Sequence, residues 1–286
     1  MLQAALCQAV GVNLMKHTFV KTIATLSLSA IAATVAMVAH ASEDNSPDPS
    51  DLTKVNSFAF GTVDNDGTLK GMIGLAGAYS EGNNFIGLVE HGSATKNNEI
   101  GKKNQNSRVR YFQVLDTGLS GMPQAGFSVD YMKGWEKSNG IGTDIVALGA
   151  IAKVTTPWES LSIFPNLAYV TGSAQGDDTE GKVNTDLEGY QVNLFGSLSI
   201  GDIGQYMVFQ PQFMRLEGKS KDIDNQKLDA NVFKVKTGYG QPISADGKWW
   251  IEASHTYTRT DMAIKHTKFA EKDHDHKFEV GISYYF

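Results

Sequence analysis

The last ten residues, KFEVGISYYF at 277–286, are the strongest indication of the fold. Its apolar side chains occupy every second position, namely Phe278, Val280, Ile282, Tyr284 and Phe286. Successive side chains of a β-strand point to opposite faces, so a period of two places all five on one face. The chain is therefore predicted to end in a strand with one wholly apolar face and a terminal aromatic residue.

The same period of two runs back along the chain to Leu52. Twelve alternating runs of about 9 to 14 residues can be counted, the length that a tilted strand needs to cross a bilayer. They lie at approximately 52–61, 69–79, 84–92, 107–118, 124–134, 143–155, 161–172, 187–200, 205–217, 228–240, 248–261 and 276–286. No amphipathic helical pattern interrupts them, which predicts an all-β protein.

The polar gaps between these runs alternate between long and short. The long ones are 92–106, 135–142, 172–186, 218–227 and 264–275, and only the tight DNDG turn at 64–67 breaks the pattern. Long outer loops and short periplasmic turns are typical of bacterial outer-membrane barrels. The terminal strand also resembles the C-terminal signature of Gram-negative outer-membrane proteins, and this resemblance implies recognition by the barrel assembly machinery. Trp158, Trp249 and Trp250 fall at short turns, where an aromatic girdle is expected.

Backbone hydrogen bonding predicts how such strands associate. In hydrocarbon every N–H and C=O needs an internal partner, so a sheet with open edges cannot span a membrane. Residues 52–286 are therefore predicted to form a closed antiparallel transmembrane β-barrel of twelve strands. Ten or fourteen strands are the alternatives, because the hairpin at 64–67 is the weakest signal. The expected partners are outer-membrane lipid, periplasmic chaperones and the assembly machinery, and a monomer is expected.

Residues 1–41 have the features of a secretory signal peptide. Lys16 and Lys21 precede an apolar stretch at 23–38 that ends in Ala39-His40-Ala41, the pattern read by signal peptidase. Translation is expected to start at Met15, and cleavage after Ala41 would remove Cys7, the single cysteine. Residues 42–51 read as a flexible periplasmic leader. The sequence thus predicts export to the cell outer membrane, and its net charge of −6 argues against a nucleic-acid partner.

The more polar register of each strand is predicted to line the interior, which is expected to be a narrow water-filled lumen. The charged candidates for this lining are Lys234, Lys236, Arg108, Arg110, Lys277, Glu279, Glu252 and Asp130. Gln191, Asn193, Gln210 and Gln212 would complete a polar wall. Confined cations favour anionic solutes, because a low-dielectric wall focuses their field. The alternative is that these cations pair with the acidic residues and satisfy one another.

Several features together resemble the small monomeric porins typified by oligogalacturonate-specific channels. They are the twelve strands, the signal peptide, the terminal Phe, the stretch from Phe209 to Arg215 (FQPQFMR) and the ending Tyr284-Tyr285-Phe286. This resemblance implies a channel for acidic solutes. The predicted function is porin-like diffusion of small hydrophilic solutes with a preference for anions. A surface receptor, adhesin or structural barrel is the main alternative.

Catalysis is not predicted from this sequence. No G-x-S-x-G or H-E-x-x-H motif occurs, so a barrel hydrolase is only a minor alternative, and no cofactor is expected. His274 and His276, with Asp273 and His266 nearby, are weak candidates for binding a divalent metal. They are interpreted instead as solvated residues of a long outer loop, and no metal site is predicted.

Overall fold

The computed structural model describes residues 57–98, 101–135, 141–178, 181–201, 203–221, 227–264 and 269–286, so residues 1–41 and 42–51 lie outside it. These residues form twelve strands in chain order. They are β1 (Phe58–Asp64), β2 (Thr68–Ser80), β3 (Asn83–Asn97), β4 (Lys103–Leu119), β5 (Met122–Gly134), β6 (Ile141–Lys153), β7 (Leu161–Asp178), β8 (Gly181–Ile200), β9 (Gln205–Ser220), β10 (Lys227–Pro242), β11 (Trp249–Ile264) and β12 (Phe269–Tyr285). Within the described ranges, no helix is long and apolar enough to cross a membrane.

The sheet closes on itself between its first and last strands. Each strand pairs with its neighbours in sequence, and β1 pairs antiparallel with both β2 and β12. The β1–β12 register runs from Phe58 opposite Tyr285 to Asp64 opposite Glu279. The prediction of a closed antiparallel barrel of twelve strands is confirmed, and the alternatives of ten and fourteen strands are wrong.

The hairpin between β1 and β2 is built around the carboxylate of Asp64. Its Oδ1 accepts the backbone N–H of Asp66 at 3.0 Å and that of Thr68 at 2.8 Å, while Lys277 Nζ on β12 lies 3.3 Å from Oδ2. Gly67 has a φ of 79° and donates its N–H to the Asp64 carbonyl at 3.0 Å. One side chain therefore holds both the turn and the β12 side of the seam.

Three of the five long polar gaps, 92–106, 172–186 and 264–275, are mostly strand in the part that the structure describes, which corrects the prediction of loops there. In the predicted loop at 172–186, the pairing of β7 with β8 continues from Gly172 opposite Leu187 to Asp178 opposite Gly181. Ladder hydrogen bonds join backbone groups, so pairing continues where the alternation of side-chain polarity fades. The hairpins on the side of the predicted long loops extend beyond the residues whose polarity alternates regularly, and β7–β8 is the longest of these hairpins.

A belt of apolar side chains covers the outside of the barrel. Phe278, Val280, Ile282 and Phe286 of the predicted C-terminal signature are 48–58% exposed, and Tyr284 shares their face and stacks on Phe286. The other strands add exposed residues to the belt, including Val63, Leu69, Val89, Val109, Phe127, Leu148, Leu167, Val192, Phe209, Phe233 and Ile251. Trp250 departs from the predicted girdle, because it points into the barrel and is only 2% exposed.

The polarity of the two faces inverts part of the way along the strands. On β10, Phe233 is exposed in the belt while Lys234 is buried on the inner face. In the part of β10 before Phe233 the arrangement is the opposite one. There Leu228 and Ala230 are buried inside, and Asp229 lies in the outer register. The same reversal occurs on β9. This end of the barrel consequently has a polar exterior and an apolar interior.

We predict that Asp64→Ala weakens the seam. It removes the acceptor of two backbone N–H groups and the partner of Lys277, so the free energy of unfolding should fall by about 1–3 kcal/mol. Urea unfolding of the refolded barrel, followed by tryptophan fluorescence, measures this change. Asp261→Ala is the matched control, since Asp261 forms a partly exposed pair with Arg259 worth only about 0–1 kcal/mol. Equal effects of the two substitutions would contradict the role given to Asp64.

Candidate functional site

All eight predicted lining residues lie on the inner face of the barrel. Six of them border a cavity of about 240 Å³ near the middle of the strands: Arg108, Arg110, Lys234, Lys236, Glu252 and Glu279. Asp130 adjoins this cavity through its contact with Arg108. Lys277 lies at the seam instead, where its Nζ is 3.3 Å from Asp64 Oδ2 and 3.2 Å from Asp66 Oδ2.

Three ion pairs cross between strands at the cavity. Arg108 donates two hydrogen bonds to Asp130, at 2.8 and 2.5 Å, Arg110 pairs with Glu90, and Lys70 pairs with Glu279 across β1. The sequence interpretation did not single out Lys70 and Glu90. The sequence nevertheless indicates that both side chains point inward, because each residue follows an outward apolar residue in an alternating run.

Lys234 and Lys236 differ from these three cations. Across the residues that the structure describes, neither ammonium group has a carboxylate within 4.0 Å or a hydrogen-bond acceptor. Glu252, the remaining carboxylate of the cavity, accepts the Ser283 hydroxyl at 2.8 Å. Of the five cations at the cavity, three are therefore paired with carboxylates and two have no carboxylate within 4.0 Å among the described residues.

The charges of the cavity do not cancel. The cations Lys70, Arg108, Arg110, Lys234 and Lys236 face the carboxylates Glu90, Glu252, Glu279 and Asp130, so five positive less four negative formal charges leave a formal excess of one positive charge. Four buried atoms on the lining also lack a hydrogen-bond partner among the described residues: Arg110 Nε, Thr62 Oγ1, Thr256 Oγ1 and Glu90 Oε1, of which the last is ion-paired with Arg110 and the other three can donate. The wall thus presents donors that an oxyanion can satisfy.

Buried apolar clusters lie on either side of this cavity along the barrel. Toward the hairpins that extend beyond the belt, a buried cluster includes Ile145, Val170, Leu187, Leu216 and Met262. Toward the chain termini, a second cluster consists of Tyr206, Trp250 and Tyr285. Phe112 and Phe195 meet edge to face with ring centroids 5.8 Å apart, although β4 and β8 are not adjacent. The interior is therefore packed with side chains at these clusters, whereas the sequence predicted a narrow water-filled lumen.

The weak metal candidates His274 and His276 lie on the outer face of β12, so His274 is in a strand and not in the loop predicted at 264–275. His276 Nδ1 is 3.1 Å from His255 Nε2, and His274 Nδ1 is 2.7 Å from the Tyr257 hydroxyl. Strand alternation turns Asp273 and Asp275 to the opposite face. The described residues contain no group of three or more side chains suited to a metal, and His266 lies outside them.

Comparison with known proteins places the fold among outer-membrane barrels. No protein-family model and no curated protein matches the sequence. The COG4313 outer membrane channel from Pseudomonas putida F1 superposes with a TM-score of 0.52 at 10% identity, covering 85% of this chain and 100% of that one. This likeness shows a shared fold at a sequence distance where function does not follow.

Two further structural matches have lower scores. The alcaligin outer-membrane receptor FauA from Bordetella pertussis has a TM-score of 0.38 at 9% identity and covers 82% of this chain. The chain spans only 41% of the length of that receptor. The β domain of the Bordetella autotransporter BrkA also has a TM-score of 0.38, at 11% identity, covering 80% of this chain and 96% of that domain.

We predict that Glu90→Gln destabilises the barrel more than the double variant Glu90→Gln/Arg110→Met. The single substitution leaves the Arg110 guanidinium buried without its carboxylate, at a cost of about 3–5 kcal/mol. Removing both charges avoids this penalty, so the double variant should unfold closer to wild type in urea. Additive losses from Glu90→Gln and Arg110→Met would contradict the pairing.

Proposed function

We propose that this protein is an outer-membrane channel whose central cavity binds and passes small anions. The observation that carries the proposal is the pair Lys234 and Lys236, two inward ammonium groups with no carboxylate within 4.0 Å among the described residues. The closed barrel, its apolar belt and its terminal aromatic strand support a place in the outer membrane.

Electrostatics favours an anion at this position. The two lysines border a confined space whose walls are the strands and, beyond them, lipid, so their field is weakly screened. An entering carboxylate or similar oxyanion would accept hydrogen bonds from these ammonium groups and from Arg110 Nε. A small cation would meet an excess of positive charge.

The apolar layers on either side set the expected size of the current. An apolar constriction opposes the passage of hydrated ions, because water leaves such a constriction readily. We therefore expect a conductance well below that of a wide general porin, with passage controlled by movement of these side chains.

An oligogalacturonate substrate receives less support than a small anion. Arg108 and Arg110 are each bound to a carboxylate, and Arg215 and Arg259 lie on the outer face with side chains 43% and 42% exposed. The cavity of about 240 Å³ is also smaller than the roughly 300–1,000 Å³ of ordinary ligand pockets. A chain of acidic sugars would need the layers above and below to open widely.

Several sequence predictions remain predictions. They are the absence of enzymatic activity, the monomeric state, the assembly partners, and cleavage after Ala41. Amino-terminal sequencing of the protein from outer membranes tests the cleavage, which we expect to leave Ser42 as the first residue.

We expect the purified protein in planar bilayers to give current steps with a reversal potential that shows anion preference. The variant Lys234→Glu/Lys236→Glu should shift that potential toward cation preference, because it changes the charge of the cavity wall by four units. Lys219→Glu is the matched control, since Lys219 is exposed on the outer face of β9. Bilayers without steps, under conditions where a control porin conducts, would overturn the channel. An unchanged reversal potential in the double variant would overturn the role of the two lysines.

A further inference from the structure

The lining of the central cavity has two chemically different parts. Its cationic part includes Lys234, Lys236 and Arg110. Its apolar part is formed by Phe58, Phe60, Met72, Ile86, Leu88 and Phe195, which come from β1, β2, β3 and β8. A site for a bare inorganic anion needs only the first part. Here a wall of rings and aliphatic chains lies in the same cavity.

We infer that the cavity is a binding site for a small amphiphilic carboxylic acid, with one carboxylate on a compact apolar body. This inference rests on the proposed anion channel and names the class of its solute. The carboxylate would lie at Lys234 and Lys236, and the apolar body would lie against the rings of Phe58 and Phe195. The Arg110 Nε–H and the Thr256 hydroxyl, which are buried without a partner among the described residues, supply further donors at the polar part.

The volume of the cavity agrees with a ligand of this class. An apolar protein cavity of about 150 Å³ accommodates benzene, so about 240 Å³ has room for one ring and a carboxylate. Two separated carboxylates would place the second one against apolar side chains, where burying an unpaired charge is costly. The site should therefore prefer monocarboxylates.

The layers that bound the cavity favour the same solute. The cluster containing Val170, Leu187 and Leu216 lies between the cavity and the extended hairpins. A hydrated inorganic anion gains nothing from contact with such a layer. An acid with an apolar body makes apolar contacts there, and these stabilise it by about 25 cal/mol per Å² of apolar surface buried.

Binding of benzoate to the full chain in lipid nanodiscs, measured by isothermal titration calorimetry, tests this inference. Acetate keeps the charge without the apolar body, and benzamide keeps the body without the charge. We expect benzoate to bind at least tenfold more tightly than either probe. The variant Lys234→Met/Lys236→Met should weaken benzoate binding at least tenfold, whereas Lys219→Met should leave it unchanged.

The outcomes separate this inference from the channel itself. Equal affinity for acetate and benzoate, with anion-selective current, would overturn the amphiphilic ligand and leave the channel in place. Benzamide binding as tightly as benzoate would overturn the role of the carboxylate. An absence of binding in a protein that conducts anions would show that the cavity holds no such acid. A wild-type protein that neither binds benzoate nor conducts anions would overturn both proposals.

Discussion

Closure of the barrel requires β1 to pair with β12. Without it, both strands would present unpaired N–H and C=O groups to hydrocarbon, at a cost of several kcal/mol for each group. The seam is short, because β1 contributes only seven residues. Side chains reinforce it where the backbone ladder ends: Lys277 binds Asp64 on β1, and Lys70 on β2 reaches over β1 to Glu279 on β12. The charged interior therefore helps to hold the barrel closed as well as lining its cavity.

Closure fixes which side chains face inward, and the inversion of polarity along the strands divides the interior into layers. Within the belt, apolar residues face lipid and charged residues meet inside. Beyond the belt, Asp229 and Glu217 take the outer register, while Leu216 and Leu228 are buried inside. That end of the molecule resembles a small soluble barrel with an apolar core. The proposed passage of a bound solute depends on this arrangement, in which a partly charged cavity lies between apolar layers.

Much of this fold could be predicted from the alternation of residue types, because a period of two specifies strands and backbone hydrogen bonding requires the strands to close. The inward register of Lys234 and Lys236 also followed from the apolar residues on either side of them. The inversion was missed, although consecutive apolar pairs such as Val232-Phe233 and Phe213-Met214 mark it. Alternation shows that two faces differ, but it does not show which face is inside. The ion-pair partners Glu90 and Lys70 depend on distances between strands, which no single strand reveals.

In a closed membrane barrel, adjacent residues of one strand face lipid and the interior in turn. Nitroxide labels on single cysteines test it most directly, with Cys7 replaced by Ser. Phe209 is exposed in the belt, and Gln210, the next residue of β9, lines the cavity. In lipid vesicles, the label at position 209 should collide frequently with lipid-soluble oxygen, while the label at 210 should be shielded from it. Equal oxygen accessibility at the two positions would contradict the closed barrel and the inward placement of its charged residues.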